Sequence, residues 1–226
     1  VYWPALLLAL GLPLPREIFV HGFFTVNGQK ISKSLGNTID PLALVQRCGS
    51  DATRYLLLSQ FPFGASGDVQ AARFDEQYDA ILANTIGNLA SRTVTLLQKF
   101  SDSKIPKVPP DPRVVARREP RATDAATSAS VAPDLDTLVN GPVRLAQELN
   151  QYADRAAPWK ETDERKRATA LRALADGVAA LALLAEPVLP KTSAAIQRAF
   201  GVQNRQLPAS GTPVEPTDPA ILFPRV

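Results

Sequence analysis

The longest regular pattern in the sequence is a run of apolar side chains between residues 74 and 100. These side chains recur every three or four positions, at Phe74, Tyr78, Ile81, Leu82, Ile86, Leu89, Leu96, Leu97 and Phe100. Such spacing places them on one face of an α-helix, and that face must be buried against other elements. The sequence therefore predicts a long amphipathic helix that belongs to a helical bundle.

Three more helices are predicted after this one, at about residues 143–156, 165–184 and 192–200. The stretch from 101 to 142 contains seven of the 20 prolines, and we interpret it as a long connection. We expect one helical unit over residues 74–203, followed by an extended tail over 204–226. Most residues of the chain should then be helical.

The first 73 residues are predicted to alternate between helix and strand. A buried helix that includes Trp3 is expected over residues 2–10, and the β-rich run Glu17–Val20 should form a strand. Asp40 and Pro41 suit the start of a short helix, which Gly49 should end before a second helix reaches residue 58. Residues 1–73 are therefore expected to form a unit separate from the bundle.

Composition limits the kinds of site that this chain can build. Its 226 residues are 45% hydrophobic and 21% charged, which is the balance of a globular protein. Cys48 and His21 are the only residues of their types, so we expect no disulfide framework and no metal site. A reducing, cytoplasmic setting fits, and the apolar stretch over 5–14 is too short to span a membrane. The net charge of +3 permits contact with nucleic acid without requiring it.

Two lysines lie three residues apart among hydroxyl groups, at Lys30, Ser32, Lys33 and Ser34, with glycines on both sides. Ammonium groups so placed can stabilise the charge that develops when a carboxylate attacks the α-phosphate of ATP and pyrophosphate leaves. Residues 25–36 are accordingly expected to form a mobile loop that contacts phosphate. A solvated surface turn is the alternative explanation of this pattern.

The segment from Lys30 to Ser34 resembles the KMSKS signature of class I aminoacyl-tRNA synthetases, with Ile31 in place of methionine. The surrounding sequence is similar to the methionyl-tRNA synthetase family in seven short segments. These are Phe19-Val20-His21-Gly22-Phe23, Thr25-Val26-Asn27-Gly28, Leu35-Gly36-Asn37, Ile39-Asp40-Pro41, Gly49-Ser50-Asp51-Ala52, Arg54-Tyr55 and Pro62-Phe63-Gly64. The valine, isoleucine and leucine enzymes share the loop but match the later pieces less well. They are the alternative within this class.

By this resemblance, Lys30, Ser32, Lys33 and Ser34 bind ATP, and Lys30 and Lys33 are catalytic, with Lys33 placed to stabilise pyrophosphate. The implied fold is mainly α: the end of an α/β, Rossmann-like nucleotide-binding catalytic domain, followed by an all-helical anticodon-binding bundle. The implied reaction joins methionine to its tRNA with ATP, which carries magnesium. The rest of the active site, including the methionine pocket, is expected upstream of Val1, so this chain alone should be inactive.

A polar strip is predicted on the long helix, beside its apolar face. Asn84, Asn88 and Arg92 follow one another at intervals of four residues, so an α-helix would align them. Amide and guanidinium groups of this kind hydrogen-bond the edges of unpaired bases. A solvated helix face is the alternative, but Asn88-Leu89-Ala90-Ser91-Arg92 resembles the family's anticodon-reading helix, which implies base contacts by Asn88 and Arg92.

Trp159 lies in a polar stretch, between two predicted helices. Its neighbours include Asp154, Lys160 and Asp163, so the indole is expected to be half exposed, although tryptophans between helices usually belong to the core. Pro158-Trp159-Lys160 resembles the family's Pro-Trp-Lys, and this implies that Trp159 stacks on an anticodon base.

The partners implied by this interpretation are a methionine-accepting tRNA and ATP, with methionine bound through the upstream half and no membrane. Two rival interpretations differ in class. The chain could be a stand-alone tRNA-binding module without ligase activity, or a helical interaction protein without a nucleic-acid role.

Overall fold

The structure of the protein is a computed structural model. It describes residues 1–18, 20–32, 34, 36–62, 64–111, 135–215 and 222–223. Helices account for most of the described residues, and a small sheet lies in the amino-terminal part. The predicted mainly helical fold is confirmed.

The sheet has three short strands, β1 (Phe24–Val26), β2 (Gln29–Lys30) and β3 (Gly67–Val69), in the order β2-β1-β3. β1 pairs antiparallel with β2 and parallel with β3. Val26 and Val69 pair in this register and are both buried. The sheet therefore joins the segment before the lysines to residues about 40 positions later.

Two expectations for the first 20 residues are wrong. Helix α1 (Tyr2–Ala9) forms, but none of its residues is buried, and Trp3 is 57% exposed. The helix is apolar all round, so its sequence does not specify which side meets a partner, and the described residues do not cover it. The run Glu17–Val20 forms no strand in its described residues, because a strand requires a paired neighbour and the pairing with β3 is made by β1 instead.

Helix α2 (Pro41–Leu58) begins and bends where its sequence predicts. The Asp40 side chain accepts a hydrogen bond from the Leu42 amide (2.9 Å), and Pro41 occupies the first turn. Gly49 interrupts the helical backbone with φ +83°, a conformation that favours glycine. The two predicted short helices are therefore confirmed, and they meet at the non-helical backbone of Gly49 within α2.

The long helix predicted from residue 74 is continuous to residue 100 but changes its winding. A short 3₁₀ turn (Ala71–Arg73) leads into α3 (Phe74–Gln77), then a π-helical segment (Tyr78–Gly87), then α4 (Asn88–Phe100). The predicted apolar face is buried along its length, at Phe74, Tyr78, Leu82, Ile86, Leu89, Leu96 and Leu97. The helix is confirmed, whereas its α-helical spacing holds only outside the π segment.

Three helices complete the bundle: α5 (Leu135–Ala156), α6 (Glu164–Ala185) and α7 (Pro190–Ala199). They confirm the three predicted helices, although α5 begins eight residues earlier than expected and includes Pro142. α6 lies at the centre, with 15 buried residues. Among the described residues it is the one helix with the length and composition to span a membrane, but 83% of its apolar window is buried, as in any core helix.

Residues 201–215 run over the bundle without regular helix or strand. Arg172 of α6 holds them through Nη1 to Ser210 Oγ (2.9 Å) and Nη2 to the Pro208 carbonyl (3.0 Å), while its Nε donates to Asp176 (2.7 Å). Burial raises the pKa of the Asp176 carboxyl. Residues 208–210 are therefore attached to the central helix of the bundle.

Candidate nucleotide loop and nucleic-acid interface

The residues before the lysine loop form a tight β-hairpin. Asn27 and Gly28 both have positive φ angles (53° and 73°), as a two-residue turn between β1 and β2 requires. Asp68 on β3 holds this turn, since its Oδ1 accepts from Thr25 Oγ1 (2.6 Å) and the Gly28 amide (2.7 Å). These two hydrogen bonds lower the pKa of Asp68. The segment predicted as loop from residue 25 thus begins as ordered hairpin.

The lysine loop follows directly from β2. Lys30 is the last residue of that strand and is exposed, and the hydroxyl groups of Ser32 and Ser34 lie 2.7 Å apart. Lys33 lies outside the residues that the structure describes. The loop therefore presents the Lys30 ammonium and two hydroxyl groups along one short stretch of exposed chain, a set of donors suited to phosphate oxygens.

Asn37 closes this loop, a role that we did not predict from the sequence. Its Oδ1 accepts from the Ser32 amide (2.8 Å), and its Nδ2 donates to the Lys30 carbonyl (3.0 Å). One side chain therefore ties the first lysine to the first serine. The available signal was an asparagine directly after Gly36, because short amide side chains at loop ends often bond the nearby backbone.

Asn88, Arg92 and Trp159 are brought together on the bundle. Asn88 is exposed at the first position of α4, and Arg92 lies one turn later. Trp159 lies in the turn between α5 and α6. The Arg92 guanidinium is 4.5 Å from the centroid of the Trp159 ring, so α4 and this turn form one polar and aromatic surface.

Arg92 is fixed in this surface by two contacts. Its Nη2 donates to Asp154 Oδ1 at 2.8 Å, and its guanidinium covers one face of the Trp159 indole. Trp159 is 37% exposed, which confirms the predicted half-exposed position. A guanidinium on an indole face is a cation–π contact, worth about 0.5–1 kcal/mol at exposed sites. The surface is therefore held in shape by neighbouring side chains.

The alignment of Asn84 with Asn88 that α-helical spacing predicts stays a prediction, because the winding changes between the two residues. Asn84 lies in the π segment, where each turn takes more residues than in an α-helix. Both amides are exposed. Within this segment Thr85 Oγ1 donates to the Ala80 carbonyl (2.7 Å), and Asn150 of α5 donates to the Thr85 carbonyl (3.1 Å). Polar side chains therefore help to satisfy the altered backbone.

The two parts of the chain match two family models. Residues 1–94 match the model described as tRNA synthetases class I (M), and residues 145–215 match the anticodon binding domain of methionyl tRNA ligase. The first match includes the lysine loop, Asn88 and Arg92, and the second includes Trp159. Both predicted sites therefore fall within matched residues.

Curated relatives are similar over nearly the whole chain. A methionine–tRNA ligase of Rickettsia bellii is 35% identical over 214 residues, which are 91% of this chain and 42% of the relative. A methionine–tRNA ligase of Nostoc sp. is 37% identical over 89% of this chain and 39% of the relative. The chain thus spans less than half the length of these proteins.

A solved structure shares the fold. The methionyl-tRNA synthetase of Mycobacterium tuberculosis, bound by methionyl-adenylate, superposes with a TM-score of 0.80 and 29% sequence identity, and the match covers 96% of this chain and 46% of that one. Sequence and fold agree along both parts of the molecule, and the chain belongs to the methionyl-tRNA synthetase family of class I aminoacyl-tRNA synthetases.

Proposed function

We propose that this chain is part of a methionine–tRNA ligase, in which it supplies the ATP loop and reads the tRNA anticodon. The observation that supports this most directly is the surface formed by exposed Asn88, Arg92 and half-exposed Trp159, of which Trp159 lies in the residues that match an anticodon-binding domain. We assign residues 1–73 to the end of the catalytic domain, residues 74–203 to anticodon binding and residues 204–226 to a tail. The protein would act in the cytoplasm.

At the anticodon surface, the proposed reading combines stacking with hydrogen bonds. An unpaired base would stack on the Trp159 indole, where such contacts are worth about 1–3 kcal/mol per base. Asn88 offers an amide donor and acceptor beside it, and Arg92 offers guanidinium donors. Because Arg92 covers one indole face, a base would either use the other face or displace the guanidinium from Asp154.

At the lysine loop, the proposed chemistry is the first half of the ligase reaction. The carboxylate of methionine attacks the α-phosphorus of ATP, the bond to the β-phosphate oxygen breaks, and pyrophosphate leaves with its accompanying magnesium. Lys30 and Lys33 would stabilise the negative charge on the departing group, and Ser32 and Ser34 would donate hydrogen bonds to it. The other atoms of this reaction would be bound by residues outside this chain.

Two assays test this function. The 226-residue chain should bind a methionine tRNA anticodon stem-loop at low salt, and replacement of the anticodon bases should weaken binding. The complete protein that contains it should exchange pyrophosphate into ATP only when methionine is present. Anticodon-dependent binding without any methionine-dependent exchange would instead favour a tRNA-binding module without ligase activity, and absence of both would reject the proposal.

A further inference from the structure

A buried carboxylate of α2 holds the start of α7. Asp51 lies just after the bend at Gly49 and is only 6% exposed. Its Oδ2 accepts a hydrogen bond of 2.8 Å from the Thr192 amide, in the first turn of α7. Amides in the first turn have no partner within the helix, and the helix dipole favours a negative charge there. Asp51 therefore acts as a helix cap supplied from 141 residues earlier in the chain.

Arg54 holds the preceding end of α6 from the same side of α2. Its Nη2 donates to the Pro187 carbonyl at 2.7 Å, and its Nε donates to the Val188 carbonyl at 3.0 Å. These carbonyls directly follow α6, where the helix dipole favours a positive charge. A guanidinium can donate to two acceptors at once from a planar fork, which a lysine cannot do.

Asp51 and Arg54 lie three residues apart, on one face of a helix. Together they form a clamp, which we name the turn clamp, on residues 186–192 between α6 and α7. Each charge meets the helix end of opposite polarity, and the Asp51 side is buried. The contact therefore fixes both the position and the direction of the turn against α2.

The clamp joins two elements that directly follow the proposed sites in the sequence. α2 begins at Pro41, four residues after Asn37, whose side chain closes the lysine loop. α6 begins at Glu164, five residues after Trp159. A displacement of α6 would therefore be transmitted through the clamp to the part of α2 after Gly49, and through the bend at Gly49 to the part that follows the loop.

We propose that Asp51 and Arg54 are positioning residues that couple the anticodon surface to the lysine loop. This inference rests on the proposed function, because it concerns transfer of methionine to a tRNA held at its anticodon. Loss of the clamp should leave each site intact but change their relative placement. It should therefore slow tRNA charging without weakening anticodon binding or adenylate formation.

The first experiment uses Arg54→Ala in the complete protein. The control is Arg47→Ala. Arg47 also belongs to α2, before the bend at Gly49, and its guanidinium pairs with Asp75 on the surface. We expect Arg54→Ala to lower kcat for tRNA charging about tenfold, within the range typical of coupling between sites. Anticodon stem-loop affinity and methionine-dependent pyrophosphate exchange should stay within about twofold of the parent. Arg54→Lys should restore part of the rate, and Asp51→Asn should keep more of it than Asp51→Ala.

Parallel losses in charging, stem-loop binding and exchange would show that the clamp is merely structural and would overturn the proposal. Unchanged charging in a folded Arg54→Ala protein would overturn it as well. Both outcomes are distinct from failure of the proposed function, in which the parent protein itself would not charge tRNA.

A second measurement does not depend on activity. Spin labels at Gln29→Cys and Lys166→Cys, both exposed positions, report the distance from the hairpin to the start of α6, while the native Cys48 is buried. Arg54→Ala should broaden or shift this distance distribution, and Arg47→Ala should not. An unchanged distribution would reject the clamp as the link between the two parts, even if the parent protein proved unable to charge tRNA.

Discussion

The lysine loop and the anticodon surface are held in place by different means. The loop is fixed by hydrogen bonds among exposed polar groups, chiefly those of Asp68 and Asn37. The anticodon surface lies on α4 and on the turn before α6. Both helices, α4 and α6, bury a continuous set of apolar side chains. Exposed hydrogen bonds open at little cost in free energy, whereas opening a helix that packs in the core costs much more.

This contrast indicates how each site would meet its ligand. The loop carries the exposed Lys30 and is held mainly by hydrogen bonds near the surface, so it could adjust to phosphates on binding. The anticodon surface has its aromatic and polar groups already assembled, so a base would meet a preformed site. Substitutions in the loop should therefore alter catalytic rates, and substitutions on the surface should alter affinity.

Lys33→Ala in the complete protein should have the largest effect. Its charge would act mainly in the transition state of adenylate formation, and loss of one such electrostatic donor typically costs about 10² to 10³ in rate. Methionine affinity should barely change. The rate of methionine-dependent pyrophosphate exchange measures this, with Lys166→Ala as the control for loss of a surface lysine. An unchanged rate would contradict the assignment of Lys33 to pyrophosphate.

Trp159→Ala should rank second and should act on affinity. Loss of base stacking should weaken tRNA binding by about 1–3 kcal/mol, or roughly 5- to 150-fold. Because the indole is partly exposed, the melting temperature of the bundle should change little. Trp159→Phe keeps an aromatic face and should retain most of the affinity.

Calorimetry and binding must be measured on the same Trp159 variants. A loss of about 3–5 kcal/mol in unfolding free energy, as for a core residue, combined with normal tRNA binding at low temperature, would show that Trp159 is structural.

Asn88→Ala should have a smaller effect, of about 0.5–1.5 kcal/mol in binding, because it removes one or two neutral hydrogen bonds to a base. Asn84→Ala is the matched control, since Asn84 is also exposed but precedes α4 in the π segment. For the Asn88 variant alone, stem-loops with altered anticodons should bind about as well as the stem-loop with the methionine anticodon. Unchanged binding with both substitutions would assign these amides to solvent.

The smallest expected effect concerns the pH dependence of the hairpin before the loop. Hydrogen bonds from Thr25 and Gly28 lower the pKa of Asp68 below its usual 3.8. The carboxylate therefore contributes stability that is present above pH 3.8 and is lost as the pH falls through the folded-state pKa. The Gly28 amide resonance should shift with a midpoint below 3.8, and Asp68→Asn should abolish this shift. A midpoint at or above 3.8 would contradict these contacts.

The elements best predicted from sequence are those with local signals at both ends. Asp40 and Gly49 determine where α2 begins and bends, and the Asp163 side chain accepts from two amides at the start of α6. Caps and positive φ angles depend on the residue itself and its neighbours, so a single sequence specifies them. The helices were therefore predictable to within a few residues, apart from the early start of α5.

The features that could not be predicted depend on residues far apart in sequence. Strand β1 forms where β3 pairs with it, about 43 residues later, and not in the described residues of the predicted strand Glu17–Val20. The contact of Arg92 with Asp154 joins residues 62 positions apart. Local propensity carries no information about such partners. The family resemblance predicts both sites, and the structure adds the neighbours that orient the described residues, such as Asn37 and Asp154.

The π-helical segment has a consequence for how the protein tolerates changes in length. In an α-helix each residue advances the side-chain direction by about 100°, so one insertion or deletion turns everything beyond it to another side. Tyr78–Gly87 lies between the buried Phe74 and the exposed Asn88, and its wider winding sets the angle between them. The number of residues in this segment therefore determines the direction in which α4 presents its part of the anticodon surface. A deletion in the segment would rotate Asn88 and Arg92 away from Trp159 although neither residue is changed.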